Sequence, residues 1–379
     1  MNSFENEKQL IKIIRAALNS QKVNISELSN ELGNLAKRNK VFNLLYLGTG
    51  NERAKKRYKE FLIQTAAQDN ILLKMSELFE SRSIYLMPIK GAQTRKRYPK
   101  PELRAMNDID VLCKAEQHKQ VKELMGIIGY DRYRSGRKHE VYFIAPHVTV
   151  EVHYDLVDGE QPIYYEYYQD IWQRAVPKSG CRYLYEMTLE DEYIYNIVHL
   201  AGHFKEGGAG VRFFADLYIY EQLDFDRQYV EKELTKLDLF EFYQNIRALA
   251  EYWFKEGTEQ QEELSSQVLK GMEAYVLSGG LFGEQQRKND FHAGEGKITV
   301  LRHNLFPNYN SMKSMYPWLQ PPLLPLSWGL RAFGALRSRK DNVESVIKNV
   351  QGGNKEEGRK IEQFYEQCGL SVKERRKLS

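Results

Sequence analysis

A chain of 379 residues with 42% hydrophobic and 12% aromatic side chains is long enough for one large unit or two to three modest domains, and its apolar content excludes a disordered polymer. The formal net charge of +4 is too weak to argue by itself for a nucleic-acid partner. Cys113, Cys181 and Cys368 form no CxxC pair, MNSFENEKQL has no leader pattern and no apolar run approaches roughly eighteen residues, so the expectation is a reduced, cytoplasmic protein without transmembrane association.

Residues 1–81 read as an N-terminal helical region. KQLIKIIRAAL places Leu10, Ile13, Ile14 and Ala17 on one stripe, and NISELSNELGNLAKRN follows with Asn24 or Ser26 as its cap. A long helix from about Arg53 to Phe79 carries Tyr58, Phe61, Leu62, Thr65, Leu72, Met75 and Phe79 at helical spacing.

The pattern changes at SRSIYLMPIK, a short apolar run that ends in the turn Lys90-Gly91-Ala92. NDIDVLCK alternates, AEQHKQVKELMGIIG is a helix stopped by Gly129, and YDRYR, EVYFIA and HVTVEVHYDL read as three further strands. Residues 82–157 therefore form a small α/β core whose sheet must be mixed, because short loops join the later strands while a helix returns the chain between the earlier ones.

After the turn VDGEQP, residues 158–350 become helical again. Thr188 with Asp191 opens TLEDEYIYNIVHLAGHF in near capping-box form. VRFFADLYIYEQL, the segment from Asp226 to about Leu249, and SSQVLKGMEAYVLSG continue the series, and residues 283–297 read as a polar loop. SWGLRAFGALRSRK reads as a helix packed on the body through Trp328, Leu330, Phe333 and Leu336 rather than docked on a membrane. Residues 351–379 form a charged C-terminal segment ending in VKERRKLS.

The chemistry concentrates in the core. Asp108 and Asp110 stand two apart on a strand, so both project from one face, and a divalent cation is the simplest compensation for their repulsion. On VTVEVHYDL, Thr149, Glu151 and His153 share a face; if this strand neighbours DIDV, Glu151 becomes a third carboxylate and His153 can hydrogen-bond one of the acids. Three carboxylates suit Mg²⁺ or Mn²⁺ with phosphate oxygens completing the shell. Upstream, Lys90, Arg95, Lys96, Arg97, Lys100 and Arg104 face the single acid Glu102, a run that reads either as a solvated face or as cations for a triphosphate; the turn at Gly91 and Ala92, with Lys90 and Arg104 as charge partners, is the phosphate-binding candidate. His199 and His203 are four apart on one helical face, and with Arg212 and Asp216 they could face a substrate cleft, bind zinc or form a packed polar network.

Taken in order, Lys90-Gly91-Ala92, Tyr98-Pro99, Arg104, Asp108-Ile109-Asp110, Gly129-Tyr130 and Val150-Glu151-Val152-His153-Tyr154 resemble the uncharacterised bacterial nucleotidyltransferase family often labelled type 5, within the polymerase β-like superfamily. The helical part is similar to it through His199, His203, Asp216, Phe306-Pro307 and Tyr316-Pro317. The chain departs from the wider pattern in two places: Gly91-Ala92 stands where the superfamily usually has Gly-Ser, and Glu151 where aspartate is usual.

The resemblance implies an α+β fold, a polymerase β-like nucleotidyltransferase domain with a mixed sheet flanked by N-terminal and C-terminal helical regions. It implies Mg²⁺-dependent transfer of a nucleoside monophosphate from an NTP such as ATP to a small-molecule, peptide or protein acceptor, with pyrophosphate released. Asp108, Asp110 and Glu151 would be the catalytic and metal-binding acids, and Lys90, Gly91, Ala92, Arg104 and His153 the groups around the nucleotide and metals. His199, His203, Arg212 and Asp216 would line the substrate pocket. The alternative is a catalytically degenerate nucleotide-binding or protein-interaction protein, kept open by Glu151; nucleic acid, through Lys96, Arg97, Arg132, Arg134, Arg137 and Lys138, is the less favoured partner.

Overall fold

A computed structural model of the protein describes residues 3–25, 27–135, 139–144, 148–257, 264, 266–279, 289–291, 306–315, 319–330 and 354–371. The chain opens with four helices, α1 (Ser3–Leu18), α2 (Asn30–Arg38), α3 (Phe42–Thr49) and α4 (Glu52–Ser81). The stripe Leu10, Ile13, Ile14 and Ala17 of α1 is buried as its spacing requires. Helix α2 starts later than the sequence suggested: Ser29, not Asn24 or Ser26, is its cap, its hydroxyl accepting from the Leu32 amide at 3.1 Å, and Ser26 lies outside the described residues. On α4 the buried positions are Ala54, Thr65, Gln68, Met75 and Phe79, whereas Leu62 is exposed, so only part of the expected stripe reaches a core.

The strands are β1 (Leu86–Pro88), β2 (Asp108–Cys113), β3 (Asp131–Ser135), β4 (His139–Ile144) and β5 (Val148–His153), with the short helix α5 (Gly91–Thr94) after β1 and α6 (His118–Ile127) after β2. They form one sheet in the order β1-β2-β5-β4-β3. Strands β2 and β5 are parallel and every other pair is antiparallel, so the sheet is mixed. Alternation gives it two distinct faces. Ile109, Val111, Cys113, Val150 and Val152 turn toward Met75 and Phe79 of α4 and Val121, Leu124 and Met125 of α6. Asp108, Asp110, Glu151 and His153 occupy the opposite face, where Leu112, further along β2, joins the helical core.

That helical core is shared by both ends of the chain. Helices α7 (Pro162–Tyr167), α8 (Ile171–Arg174), α9 (Leu189–Lys205), α10 (Val211–Glu221), α11 (Arg227–Lys236), α12 (Phe240–Phe254) and α13 (Gln267–Gly279) follow β5. Leu10, Ile14, Leu32 and Leu45 of the first helices cluster with Phe204, Phe214, Phe242 and Trp253 of these later ones. Thr188 caps α9 as expected, accepting from the Asp191 amide at 3.2 Å, but the Asp191 carboxylate pairs with Arg174 instead of closing a capping box. The segment expected to be continuous from Asp226 is broken between α11 and α12, with Asp238 at φ 54°. A small hairpin of Val176–Pro177 and Tyr185–Glu186, unforeseen in the sequence, lies beside β1 through a bridge from Leu184 to Leu86.

In the charged C-terminal segment a helix, Lys355–Gln367, seats Tyr365 in the core against Phe204 and Tyr275. Trp328 donates from Nε1 to the Pro307 carbonyl at 2.9 Å and its ring meets Phe306, but Leu330, expected on the packed side, is exposed. Most of the polar loop at 283–297, Tyr316-Pro317, Phe333, Leu336 and VKERRKLS lie outside the described residues, as do Arg137, Lys138 and the side chains of Arg132 and Arg134. No helix among the described residues is long and apolar enough to cross a membrane.

Five of the six cations between β1 and β2 are paired with acids, and the sixth, Lys100, is exposed. Lys90 bonds Asp110, Arg95 bonds Asp69 of α4, and Lys96 bonds Glu186 at 2.9 Å. Arg97 grips Glu192 of α9 through Nε and Nη2 at 3.0 and 2.6 Å. Arg104 makes a bidentate pair with Asp216 of α10, at 2.7 and 2.9 Å, and the Tyr98 hydroxyl donates to the same carboxylate at 2.6 Å. Tyr98, Arg104 and Asp216 are all buried, so these charges fasten the loop to the helices.

Removing one member of a buried pair strands the other, a loss of about 3–5 kcal/mol, whereas removing both is far milder. Asp216→Asn should therefore lower stability in urea denaturation by about 3–5 kcal/mol. Arg104→Met/Asp216→Leu should recover much of that loss, with the Tyr98 hydroxyl as the donor left to be satisfied. Equal losses in the single and double variants would contradict this account of the pair.

Candidate active site

The parallel register of β2 and β5 decides which acids meet. Asp110 stands opposite Glu151 and Asp108 opposite Thr149, so the three carboxylates cluster on one face near the N-terminal end of β2. The antiparallel register of β4 on β5 then puts His139 directly opposite His153. From the other side comes the turn after β1, which begins at Lys90 with φ 49° and ψ −127°, a conformation that is costly for a residue with a Cβ. That backbone sends the Lys90 ammonium to Asp110, with Nζ 2.7 Å from Oδ1.

Gly91 sits tightly against the Met106 side chain. A Cβ there would lie 3.0 Å from Cγ and 3.2 Å from Sδ of Met106. The amides of Ala92 and Gln93 are spent inside the turn on the carbonyls of Ile89 and Lys90, and Ala92 is itself buried. Of the turn's three residues, Lys90 and Gly91 border the cavity of the site and Ala92 does not.

Lys90, Gly91, Arg104, Met106, Asn107, Asp108, Asp110 and Glu151 bound a cavity of about 190 Å³ that is closed on the helical side by Asn196, His199, His203, Arg212 and Phe213. Of the helical candidate residues, His199, His203 and Arg212 line this cavity, whereas Asp216 is held by Arg104. His199 and His203 approach each other to 3.1 Å between their Nε2 atoms, with Phe213 packed against both rings. Asp216 is committed to Arg104 and Tyr98, and the described His, Cys, Asp and Glu residues whose ligand atoms converge within 4.8 Å of one another are instead His139, Glu151 and His153. His139 was missed in the sequence, although the hairpin register of HEVYFI on VTVEVH, once paired, carries the signal. Arg212 is in no ion pair among the described residues; its Nη1 has only a long contact of 3.4 Å to the Ala105 carbonyl, and its Nε is buried without a partner. Burial and the neighbouring Arg104 bring its pKa down to about 10, against the pull of Asp216 and Asp108.

The three acids are electrically unequal. Burial opposes the charge on Asp110, but the Lys90 ammonium and the hydrogen bonds of His153 and Lys90, the former at 2.8 Å, hold it well below the ordinary carboxylate range. Glu151 is likewise lowered against its burial, by the neighbouring His153 imidazole 3.6 Å away and by His139 and Lys90. Asp108 receives the remainder: burial first, then the charges of Asp110 and Glu151, push it up to about 6. A cluster of hard oxygen donors with one carboxyl raised by its neighbours' charge fits a divalent cation, and Asp108, Asp110 and Glu151 are the residues that could hold it.

A family model described as an uncharacterised nucleotidyltransferase matches residues 30–255. The match takes in α2 through α12 and with them every residue that bounds the cavity. No curated protein and no solved structure matches the chain significantly. The chain belongs to this nucleotidyltransferase family.

The raised Asp108 carries a stability cost whose sign is fixed. Its folded pKa of about 6 exceeds the ordinary aspartate value near 4, so its contribution to stability is present below pH ~4 and lost as the pH rises through about 6. Asp108→Asn should stabilise the protein in EDTA at pH 7.5 by about 1–2 kcal/mol after allowance for partial solvent screening. Near pH 5 the gain should shrink, and thermal denaturation at the two pH values reads the difference. A variant that is destabilised at pH 7.5 would show that Asp108 is not under charge repulsion.

Proposed function

We propose that this member of the family moves a nucleoside monophosphate from an NTP to an acceptor hydroxyl and releases pyrophosphate. The observation that carries the reading is that Asp108, Asp110 and Glu151, from adjacent parallel strands, line one wall of a cavity whose opposite wall carries Arg212. Asp108 and Asp110 would hold Mg²⁺ or Mn²⁺, with Glu151 sharing the position on the acceptor side; bound there, the cations supply neutralisation of the triphosphate and of the leaving pyrophosphate.

The chain's own groups then have distinct tasks. Glu151, held ionised, faces the acceptor and takes up the proton its hydroxyl gives away as oxygen attacks the α-phosphorus and the bond to the β-phosphate breaks. Asp110 is kept charged by Lys90 and His153, so it is ready without a proton to lose. Lys90 and the Gly91 backbone lie where phosphates would enter. Arg212 is the guanidinium of the cavity wall without a carboxylate partner, and it suits the phosphates better than Arg104, which is spent on Asp216. His199, His203 and Phe213 would border the acceptor.

One observation favours the alternative, nucleotide binding without turnover. Asp110 Oδ1 is already engaged by both Lys90 and His153, and a cation must displace or share these contacts.

Incubation with each of four α-³²P-labelled NTPs, Mg²⁺ or Mn²⁺, and extract of the producing cell decides between the readings. Transfer of label to one acceptor should occur with the wild type and fall by about 10³-fold in Asp110→Asn, a loss of about 4 kcal/mol in transition-state stabilisation. Metal-dependent NTP binding by calorimetry with no transfer to any acceptor would support the binding-only alternative.

A further inference from the structure

The imidazoles beside the third carboxylate make a donor set of their own. His139 and His153 are cross-strand partners whose ring centroids lie 4.9 Å apart. Their Nε2 atoms lie 3.7 and 3.6 Å from Oε2 of Glu151, and the three ligand atoms fall within 4.8 Å of one another. Two ligands of a cation bound at about 2.0–2.2 Å stand roughly 3–3.5 Å apart, so small side-chain movements close the set around an ion. On both rings Nδ1 is buried without a hydrogen-bond partner, which leaves Nε2 as the nitrogen the fold directs into the site. Glu151 occupies the strand between β2 and β4, and its additional methylene, compared with aspartate, extends its carboxylate toward His139.

We propose that the acceptor side of the site takes a first-row transition dication, held by Nε2 of His139, Nε2 of His153 and the Glu151 carboxylate, in preference to Mg²⁺. Magnesium demands a near-octahedral shell of oxygens and retains its waters, whereas imidazole nitrogen suits Fe²⁺ and Zn²⁺, with Mn²⁺ the weakest binder of the first-row series. The ion replaces a proton on His153 Nε2, which now lies 2.8 Å from Asp110 Oδ1 and 3.4 Å from Lys90 Nζ. Asp110 remains within reach as a further oxygen, and the Lys90 ammonium is repelled from the carboxylate it holds in the metal-free protein. The inference deepens the nucleotidyl-transfer reading by naming the acceptor-side cation, and it rests on that reading for its chemical consequence alone.

The test uses the full chain stripped with EDTA. Calorimetric titration with ZnCl₂ or MnCl₂ in millimolar Mg²⁺ should show one tightly bound equivalent, weakened at least ~10-fold in His139→Asn, with circular dichroism to confirm that the variant folds. Electron spin-echo modulation of the bound Mn²⁺ should carry a ¹⁴N imidazole signal in the wild type that diminishes in His139→Asn and vanishes in His139→Asn/His153→Asn. Mn²⁺ bound without nitrogen modulation, or displaced by millimolar Mg²⁺, overturns the proposal. In that case label transfer with Mg²⁺ would leave the nucleotidyl-transfer reading standing; nitrogen-ligated Mn²⁺ with no transfer from any NTP would do the reverse.

Discussion

The buried pair of Arg104 with Asp216 is the constraint on which the rest of the site depends. It joins the loop that delivers the acidic strand to the helix that closes the cavity, and the Tyr98 hydroxyl makes it a three-membered knot. A bidentate guanidinium–carboxylate contact fixes orientation as well as distance. With Arg104 immobilised three residues ahead of Asn107 and four ahead of Asp108, the start of β2 cannot drift from α10, and Arg212, one helical turn before Asp216, is carried to the cavity wall. The neighbouring pairs of Arg95, Lys96 and Arg97 extend the same fastening to α4, the small hairpin and α9.

Within this frame the protein has divided its carboxylates into one that is satisfied and one that is not. Asp110 is neutralised by Lys90 and His153, at the cost of a strained backbone at Lys90. Among the described residues Asp108 has no ion-pair partner, and it feels the repulsion of both other acids. A site built for stability alone would pair or delete that third charge. Retaining it leaves like charges facing one another across the site, an arrangement in which a cation would be favoured.

The sequence revealed the parts of this arrangement that follow from local periodicity. Asp108 and Asp110 share a face because strands alternate, and the same rule put Glu151 and His153 together; the mixed sheet followed from a helix between early strands and short loops between later ones. What stayed hidden was settled by tertiary pairing. The basic run looked alike whether its charges met solvent, phosphate or buried carboxylates, since Asp69, Glu186, Glu192 and Asp216 lie on other elements and no spacing rule links them to it. His139 was hidden because its role depends on hairpin register rather than on its own neighbours. Tyr365 belonged to a segment whose charge masked a buried side, Ile361, Phe364 and Tyr365, that becomes apparent only when the helix meets Phe204 and Tyr275.

The two walls of the cavity come from different kinds of structure, and this has a chemical corollary. The acidic wall is set by strand register, which a one-residue slip would destroy, so its geometry is fixed by backbone hydrogen bonds. The cationic and aromatic wall, Arg212, Phe213, His199 and His203, is carried by helix faces whose side chains can change without disturbing the sheet. On the proposed reading the reacting groups therefore lie on the strands, and the wall that would border an acceptor lies on the helices. Because Arg104 and Asp216 bind these walls together, cavity-facing side chains of α9 and α10 can change while that pair holds the acidic strand in place.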